Sequence, residues 1–387
     1  MYSKFSILIV LLISSLFLSA CNDDPTNSGL SILNKEDLIS VSPDSTGLVS
    51  DSSFTVNLSF LGGNPLLLGK YGNVSSSMLV QFSVTLPDSI KNAVASNAVS
   101  VTSAWVEMTS KYRIGSTGSS FDFSLNKVTS GWPSSNSFNA DSLKQISYTD
   151  VQKLQQNFTD SLCTFNLNNQ TVNTWFKDTA TKFTSFYFKP KPGLEAITGF
   201  QNMYNATSSD IMKFKVVFEK QGGYIDTLTF IPTSNVHLVE SSKPANLSQE
   251  RIYVQAGSGY HSKLRFDVSK IPAGSIINSA VLELTWDPNT SKVGYPMTNS
   301  LRAMYLVNNQ TDAYDSVNTV GLQRDTTSNI YSGEIRQMVQ RWVLSQANNG
   351  VAIGASNDRG SVDLLAFMGK NSPLRPKLRI IYTAKKP

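Results

Sequence analysis

Apolar and polar positions alternate along much of this chain, and one alternating phrase is written twice. In SAVLELTW (279–286), Ala280, Leu282, Leu284 and Trp286 point one way while Val281, Glu283 and Thr285 point the other. In SAWVEMTS (103–110), Ala104, Val106 and Met108 oppose Trp105, Glu107 and Thr109 in the same fashion. A side-chain period of two with one apolar face predicts half-buried antiparallel strands. KFKVVFE (213–219) and KLRIIYT (377–383) alternate likewise. One stretch breaks the period. In SGEIRQMVQRWV, residues Ile335, Met338, Val339, Trp342 and Val343 follow helical spacing, with Ser332 placed to cap. Many short strands, one short helix per copy and no strand-helix-strand alternation predict an all-β chain of antiparallel β-sandwiches.

The repeat extends beyond the two phrases. VSPDSTGLVS (41–50) echoes IPTSNVHLVE (231–240), LLLGKYG (66–72) echoes IYVQAGSG (252–259), and VQFSVTLP (80–87) echoes LRFDVSKIP (264–272). Later, VNTWF (172–176) matches VQRWV (339–343), and Trp175 precedes Phe200 by the same 25 positions that separate Trp342 from Phe367. Val80 and Leu264 are 184 positions apart, Ser103 and Ser279 are 176 apart, and Trp175 and Trp342 are 167 apart. The order of elements is kept while the first copy carries longer connections, which is how duplicated domains diverge. Gly222 and Gly223 in EKQGGYID mark the expected junction. The division predicted is a first sandwich over 37–222 and a second over 225–387.

The N-terminus changes the picture of where the chain works. Lys4 and the apolar run FSILIVLLISSLFLSA form a secretory leader over 1–20, and the run is shorter than the roughly 20 residues of a membrane-spanning helix. Leu18, Ser19 and Ala20 before Cys21 resemble a bacterial lipobox, which implies cleavage before Cys21 and acylation of its thiol. Several acyl chains hold a protein on a membrane where one does not. NDDPTNSGLS after Cys21 reads as a flexible tether over 21–36, and Asp23 and Asp24 resemble the acidic signature that sends some lipoproteins to the cell surface. The resemblance places the chain in the bacterial cell envelope, at the outer membrane. Losing Lys4 with the leader lowers the formal charge of +5 to +4, and that charge is spread along the chain, so nucleic acid is not an expected partner. Cys163 is the single cysteine left after Cys21, which excludes an intramolecular disulfide and reads as a buried, inert thiol.

PTSNVHLV, IYVQAGSGYHSKLRFDVSKIPAGSIINSAVLELT and the later VQRWV with GVAIGA resemble the DNRLRE-type domain of bacterial surface proteins. That domain is a jelly-roll sandwich grouped with carbohydrate-binding modules. LNKVTSGWPSS (125–135), with Trp132, is similar to a segment of the same family, while the string that names the family is absent. The resemblance implies two tandem jelly-roll-like antiparallel β-sandwich domains, each with one short helix, and glycan binding as the function class. It transfers no binding residue.

Catalytic signatures are missing. His237 and His261 are the only histidines, which excludes a His-Glu-x-x-His zinc site, and there is no Gly-x-Ser-x-Gly elbow. GGNPLLLGKY and GSGYHS have the wrong spacing and context for phosphate or dinucleotide loops and read as turns. Glu107 and Glu283 occupy equivalent outward positions in different copies, too far apart in the scheme for a glycosidase pair, and read as solvated or salt-bridged. No cofactor is expected beyond a structural calcium, for which Asn357, Asp358 and Asp363 offer oxygen ligands.

Aromatic rings are the remaining candidates, because sugars stack on flat side chains in shallow grooves. Trp175 and Trp342 occupy matched positions and read as core anchors. Trp105 differs: its alternation turns it outward, and its counterpart is Val281. It is either a sugar platform or a ring buried by the longer connection SSNSFNADSLKQISYTDVQKL. Tyr71, Tyr112, Tyr260, His261 and Tyr295 lie at expected loop tips and complete the glycan-binding candidates. The expectation is a non-catalytic envelope lipoprotein, joined to the lipid membrane through acylated Cys21 and binding a polysaccharide or surface glycan. The alternative is a structural or adhesive surface protein whose partner is another envelope protein. A glycan-active hydrolase or lyase ranks third.

Overall fold

On the first of the two phrases, Ala104, Val106 and Met108 are buried while Trp105 and Glu107 stay half-buried on the opposite side. The computed structural model describes residues 38–384 apart from 43–45, 59–62, 117–120, 131–139, 160, 179–182, 204–208, 221–222 and 345–346. The leader, Cys21, Asp23, Asp24, Trp132 and Gly222 lie outside the described residues.

The chain begins with β1 (Ile39–Val41) and β2 (Leu48–Thr55). The first copy follows with β3 (Leu66–Tyr71), β4 (Val74–Ser83), helix α1 (Asp88–Ala95), β5 (Val99–Gly115) and β6 (Phe123–Val128). Next come helix α2 (Ala140–Lys144), β7 (Tyr148–Val151), β8 (Lys153–Phe158) and β9 (Leu162–Leu167). Helix α3 (Asn169–Lys177), β10 (Phe183–Pro190), β11 (Ala196–Phe200) and β12 (Lys213–Lys220) complete it. The second copy runs through β13 (Gly223–Phe230), β14 (Pro232–Ser241), β15 (Arg251–Gln255), β16 (Tyr260–Phe266), β17 (Ile276–Thr285) and β18 (Ser300–Asn308). It ends with β19 (Ala313–Asp325), β20 (Ile330–Glu334), helix α4 (Arg336–Val343), β21 (Val351–Ala355), β22 (Leu364–Met368) and β23 (Lys377–Thr383).

The fold is all-β, as the alternation predicts, and the strands pair antiparallel in two sandwich units. In the first unit the strand order is β13-β12-β5-β11-β3-β4-β10-β6-β7, with β14 on β4 and the β8–β9 pair on β5. Strand β5 serves both layers, since Val99–Thr109 pairs with β12 and β9 while Ser110–Gly115 pairs with β11. In the second unit the order is β1-β23-β17-β20-β19-β18-β21-β16-β15-β22, with β2 on β16.

Each unit has its own core. The first is built on phenylalanines, with Phe82, Phe123, Phe165, Phe186, Phe188 and Phe214 fully buried. Aliphatic residues dominate the second, together with Trp342, Tyr331 and Phe367, the last two in an edge-to-face contact at 5.4 Å. Aromatic pairs of this kind contribute about 0.5 to 1.5 kcal/mol beyond their buried area. Helices α3 and α4 hold the matched positions of Trp175 and Trp342, but the first copy carries two more helices, α1 and α2, in its longer connections. Ser332 is not a cap. It lies inside β20, and the first helical N–H, that of Arg336, donates instead to Glu334 Oε1 at 3.1 Å. At the other helix Asn168 Oδ1 accepts from Thr171 N at 3.0 Å, an ordinary side-chain cap.

The expected division at 37–222 and 225–387 is crossed in both directions. Strands β1 and β2 pair with β23 and β16 of the second unit, while β14 pairs with β4 of the first and β13 with β12. The exchange is symmetric to the residue. Thr55 faces Tyr260 in one ladder and Val239 faces Ser76 in the other, so moving each residue by 184 positions converts one pair into the other. The bulges obey the same rule, because Leu48 faces Phe266 and Pro232 faces Phe82 at the register shift of each ladder. Leu48 therefore corresponds to Pro232, a correction of the echo that set Val41 beside Ile231. Each copy gives its leading strands to the other, and Leu48, Phe54, Val236 and Leu238 are buried in the units that receive them. Each such side chain stabilises its host by about 1.5 to 3 kcal/mol.

Candidate functional site

On the outward face of β5 the duplication is broken at Trp105, where the second copy has Val281. Alternation places Ser103, Trp105 and Glu107 on that face, and the ladders set their neighbours. Trp105 lies between Lys215 on β12 and Asn166 on β9, and Lys215 lies beside Thr229 on β13. One row across four strands therefore reads Thr229, Lys215, Trp105, Asn166. The next row places Lys213, Glu107, Thr164 and Asn157 side by side on β12, β5, β9 and β8.

Within this face the indole is held in place. Trp105 Nε1 donates to Glu107 Oε1 at 2.8 Å, and Lys215 Nζ donates to the same oxygen at 2.8 Å. The ammonium stands 5.7 Å from the centre of the Trp105 ring. A ring whose nitrogen reaches the carboxylate two residues on leans along the strand. Burial tends to raise the Glu107 carboxyl, but the hydrogen bonds from Lys215 and Trp105 outweigh it and hold the group below its ordinary value. Glu107 is thus an ionised anchor for the ring. Its counterpart Glu283 receives Arg379 Nε at 2.9 Å and Nη2 at 3.2 Å, the same ion pair in the second unit.

Of the connection that could have covered Trp105, the described helix α2 lies elsewhere. Leu143 of α2 packs with Leu79, Val128, Ile146, Tyr187, Val236 and Leu238 over β4, β10 and β14. Trp105 remains half-buried on a polar face of Lys, Asn and Thr. Lys215, Asn166 and Thr229 were not singled out by the sequence. Aligning KFKVVFE with KLRIIYT would have found Lys215, whereas the other two depend on register alone.

The remaining aromatic candidates separate. Tyr112 is only 3% exposed, and its hydroxyl donates to Asp363 Oδ1 at 2.8 Å. Tyr260 is 4% exposed, with its hydroxyl 2.6 Å from Ser53 Oγ, and His261 is 1% exposed, with Nε2 3.2 Å from Asp358 Oδ2. These three are not loop-tip groups, because the exchanged strand β2 and the contact between the units cover them. Tyr295 is 84% exposed and its backbone forms a two-way bridge with Arg113. Tyr71 is half-buried at the end of β3 and lines a cleft between the two units.

The calcium candidates are also divided. Asp358 takes Arg302 Nη2 at 2.8 Å as well as His261, while Asp363 accepts from Tyr112, Gly294 N and Thr298 N. Asn357 packs against Gly360. Among the described residues no group of three or more His, Cys, Asp or Glu side chains is arranged to hold a metal ion. Cys163 is buried, and burial pushes its thiol up to about 12, as expected for an inert cysteine.

No family model matches the sequence, and no curated protein matches it. Among solved structures, the chain is similar to the C-terminal domain of the AgI/II polypeptide BspA of Streptococcus agalactiae. That likeness has 9% identity and a TM-score of 0.18, over 87% of this chain and 92% of that one. A further structure, BspA_C_WT, matches at 9% identity and a TM-score of 0.18, over 85% of this chain and 91% of that one. At that score the likeness adds nothing to the fold read from the strands themselves.

Proposed function

We propose that this chain is a non-catalytic lipoprotein of the bacterial cell envelope that binds a polysaccharide or surface glycan on the Trp105 face of its first unit. The observation that carries the reading is the row Thr229, Lys215, Trp105, Asn166, an indole fixed by Glu107 among hydrogen-bonding side chains. A sugar ring stacks its axial C–H face on an indole while its hydroxyls seek donors and acceptors at the edge. Lys215 donates, Asn166 does both, and Thr229 does both, so the face meets both needs. An exported leader and a lipid on Cys21 would keep that face at the membrane surface, and the resemblance of the second copy to DNRLRE-type domains supports the same function class.

The test is a glycan array probed with the soluble chain from Ser31 onward and its Trp105→Ala variant. Wild-type protein is expected to bind a defined set of glycans, and the variant to lose the part of that set held on this face, with a nearly unchanged melting temperature. Unchanged binding, or a large fall in melting temperature, would sink the platform.

A further inference from the structure

We propose that the cleft between the two units is a second carbohydrate site, one that takes a short oligosaccharide. This rests on the reading of the chain as a glycan binder and adds a locus to it. The cleft has a volume of about 530 Å³ and is lined by Tyr71, Asn73, Glu195, Asn246, Gln255 and Lys292, among others. Pockets for small ligands run from about 300 to 1,000 Å³.

The strand exchange builds this cleft. Tyr71 and Asn73 flank the β3–β4 turn of the first unit, Gln255 ends β15 of the second, and Asn246 follows the exchanged strand β14. Neither unit could form it alone. Tyr71, which lines the cleft, packs against Tyr112, Ile197 and Val362.

Asn73 and Gln255 bind each other across the junction. Asn73 Nδ2 donates to Gln255 Oε1 at 3.0 Å, and Gln255 Nε2 donates back to Asn73 Oδ1 at 3.1 Å. Asn73 Nδ2 also donates to Ser242 O at 2.7 Å. Each amide oxygen keeps a lone pair and Gln255 keeps one N–H, so oriented donors and acceptors remain for a ligand. Groups held in place before binding lose less freedom when the ligand arrives.

Charge decides the ligand class. Glu195 and Lys292 stand exposed at the rim, with no ion-pair partner among the described residues. One acid and one base balance each other, which disfavours a phosphate or a polyanion and suits a neutral polyhydroxyl compound. The carboxylate accepts from sugar hydroxyls, the ammonium donates to them, and Tyr71 supplies an apolar surface.

The experiment uses the soluble chain from Ser31 to Pro387 on a printed array of short bacterial, plant and animal oligosaccharides. Affinity for an oligosaccharide that the Trp105→Ala chain still binds is then measured by calorimetry. Lys292→Ala and Glu195→Ala change exposed side chains and leave the fold intact, as circular dichroism would verify. Each is expected to weaken binding by about ten-fold, the effect of one lost charged hydrogen bond, while Trp105→Ala leaves that affinity unchanged. A loss in either rim variant supports the cleft. Unchanged affinity in both overturns it, whatever Trp105→Ala does. If Trp105→Ala abolishes all binding on the array, the outer face stands and the cleft falls; if the wild-type chain binds nothing on the array, both fall together.

Discussion

The hydroxyl of Tyr112, on β5 of the first unit, donates a 2.8 Å hydrogen bond to the carboxylate of Asp363 in the second. Both side chains are buried, and Gly294 N at 2.7 Å and Thr298 N at 3.3 Å donate to the same carboxylate. Burial raises the Asp363 carboxyl above its ordinary value despite those donors. Gly294 is required here, because a Cβ would stand 2.6 Å from both Arg113 O and the Tyr112 ring. Tyr112→Phe removes one donor from a buried acceptor and is expected to cost about 1 to 3 kcal/mol. Urea unfolding measures it, and a loss below about 0.5 kcal/mol would show that the junction does not depend on this bond.

The exchanged strands make a sharper prediction. A cut between 222 and 223 leaves the first fragment without β13 and β14 and the second without β1 and β2. Neither fragment is expected to melt cooperatively alone, contrary to the two independent domains that the sequence suggests. Mixed together, they hold every strand and are expected to regain β-rich circular dichroism and a cooperative transition. Independent melting of the 223–387 fragment at the temperature of the intact chain would refute this.

Matched tryptophans are not equal. Trp342 is buried among Ile335, Met338 and Val339, while Trp175 is half-buried, 5.8 Å from Phe186 and beneath Lys127 Nζ at 4.9 Å. Trp342→Ala is expected to cost about 3 to 5 kcal/mol, and Trp175→Ala clearly less. Equal losses in thermal or denaturant unfolding would contradict the difference in burial.

His237 makes stability depend on pH. It is fully buried on the exchanged strand β14, and burial, reinforced by the nearby Arg359, lowers its imidazole to about 3. The unfolded chain would titrate near the ordinary value of about 6.5. Between these values the unfolded state binds the extra proton, so the contribution of a neutral His237 is complete above about pH 6.5 and is lost as pH falls toward 3. The loss approaches about 1.4 kcal/mol per pH unit. Measured from pH 7 to pH 5, wild-type stability is expected to fall relative to His237→Gln; parallel curves would rule out His237 as the cause.

Side-chain alternation is a local property, and it was legible. Ala104, Val106 and Met108 against Trp105 and Glu107, the helix around Trp342 and the outward position of Trp105 all follow from the spacing of neighbouring residues, whatever the rest of the chain does. Tyr112, Tyr260 and His261 were misplaced for the complementary reason: each is covered by residues far away in sequence, Asp363, Ser53 and Asp358. The pairing of strands was also beyond local reading. A backbone ladder carries little sequence information, and in a duplicated chain β2 and β14 face equivalent partners in the same register with the same bulge. Either strand fits either berth, so their own residues choose weakly between them. The connections and the packing of the two units against each other settle the choice, and with it the cleft that neither copy possesses alone.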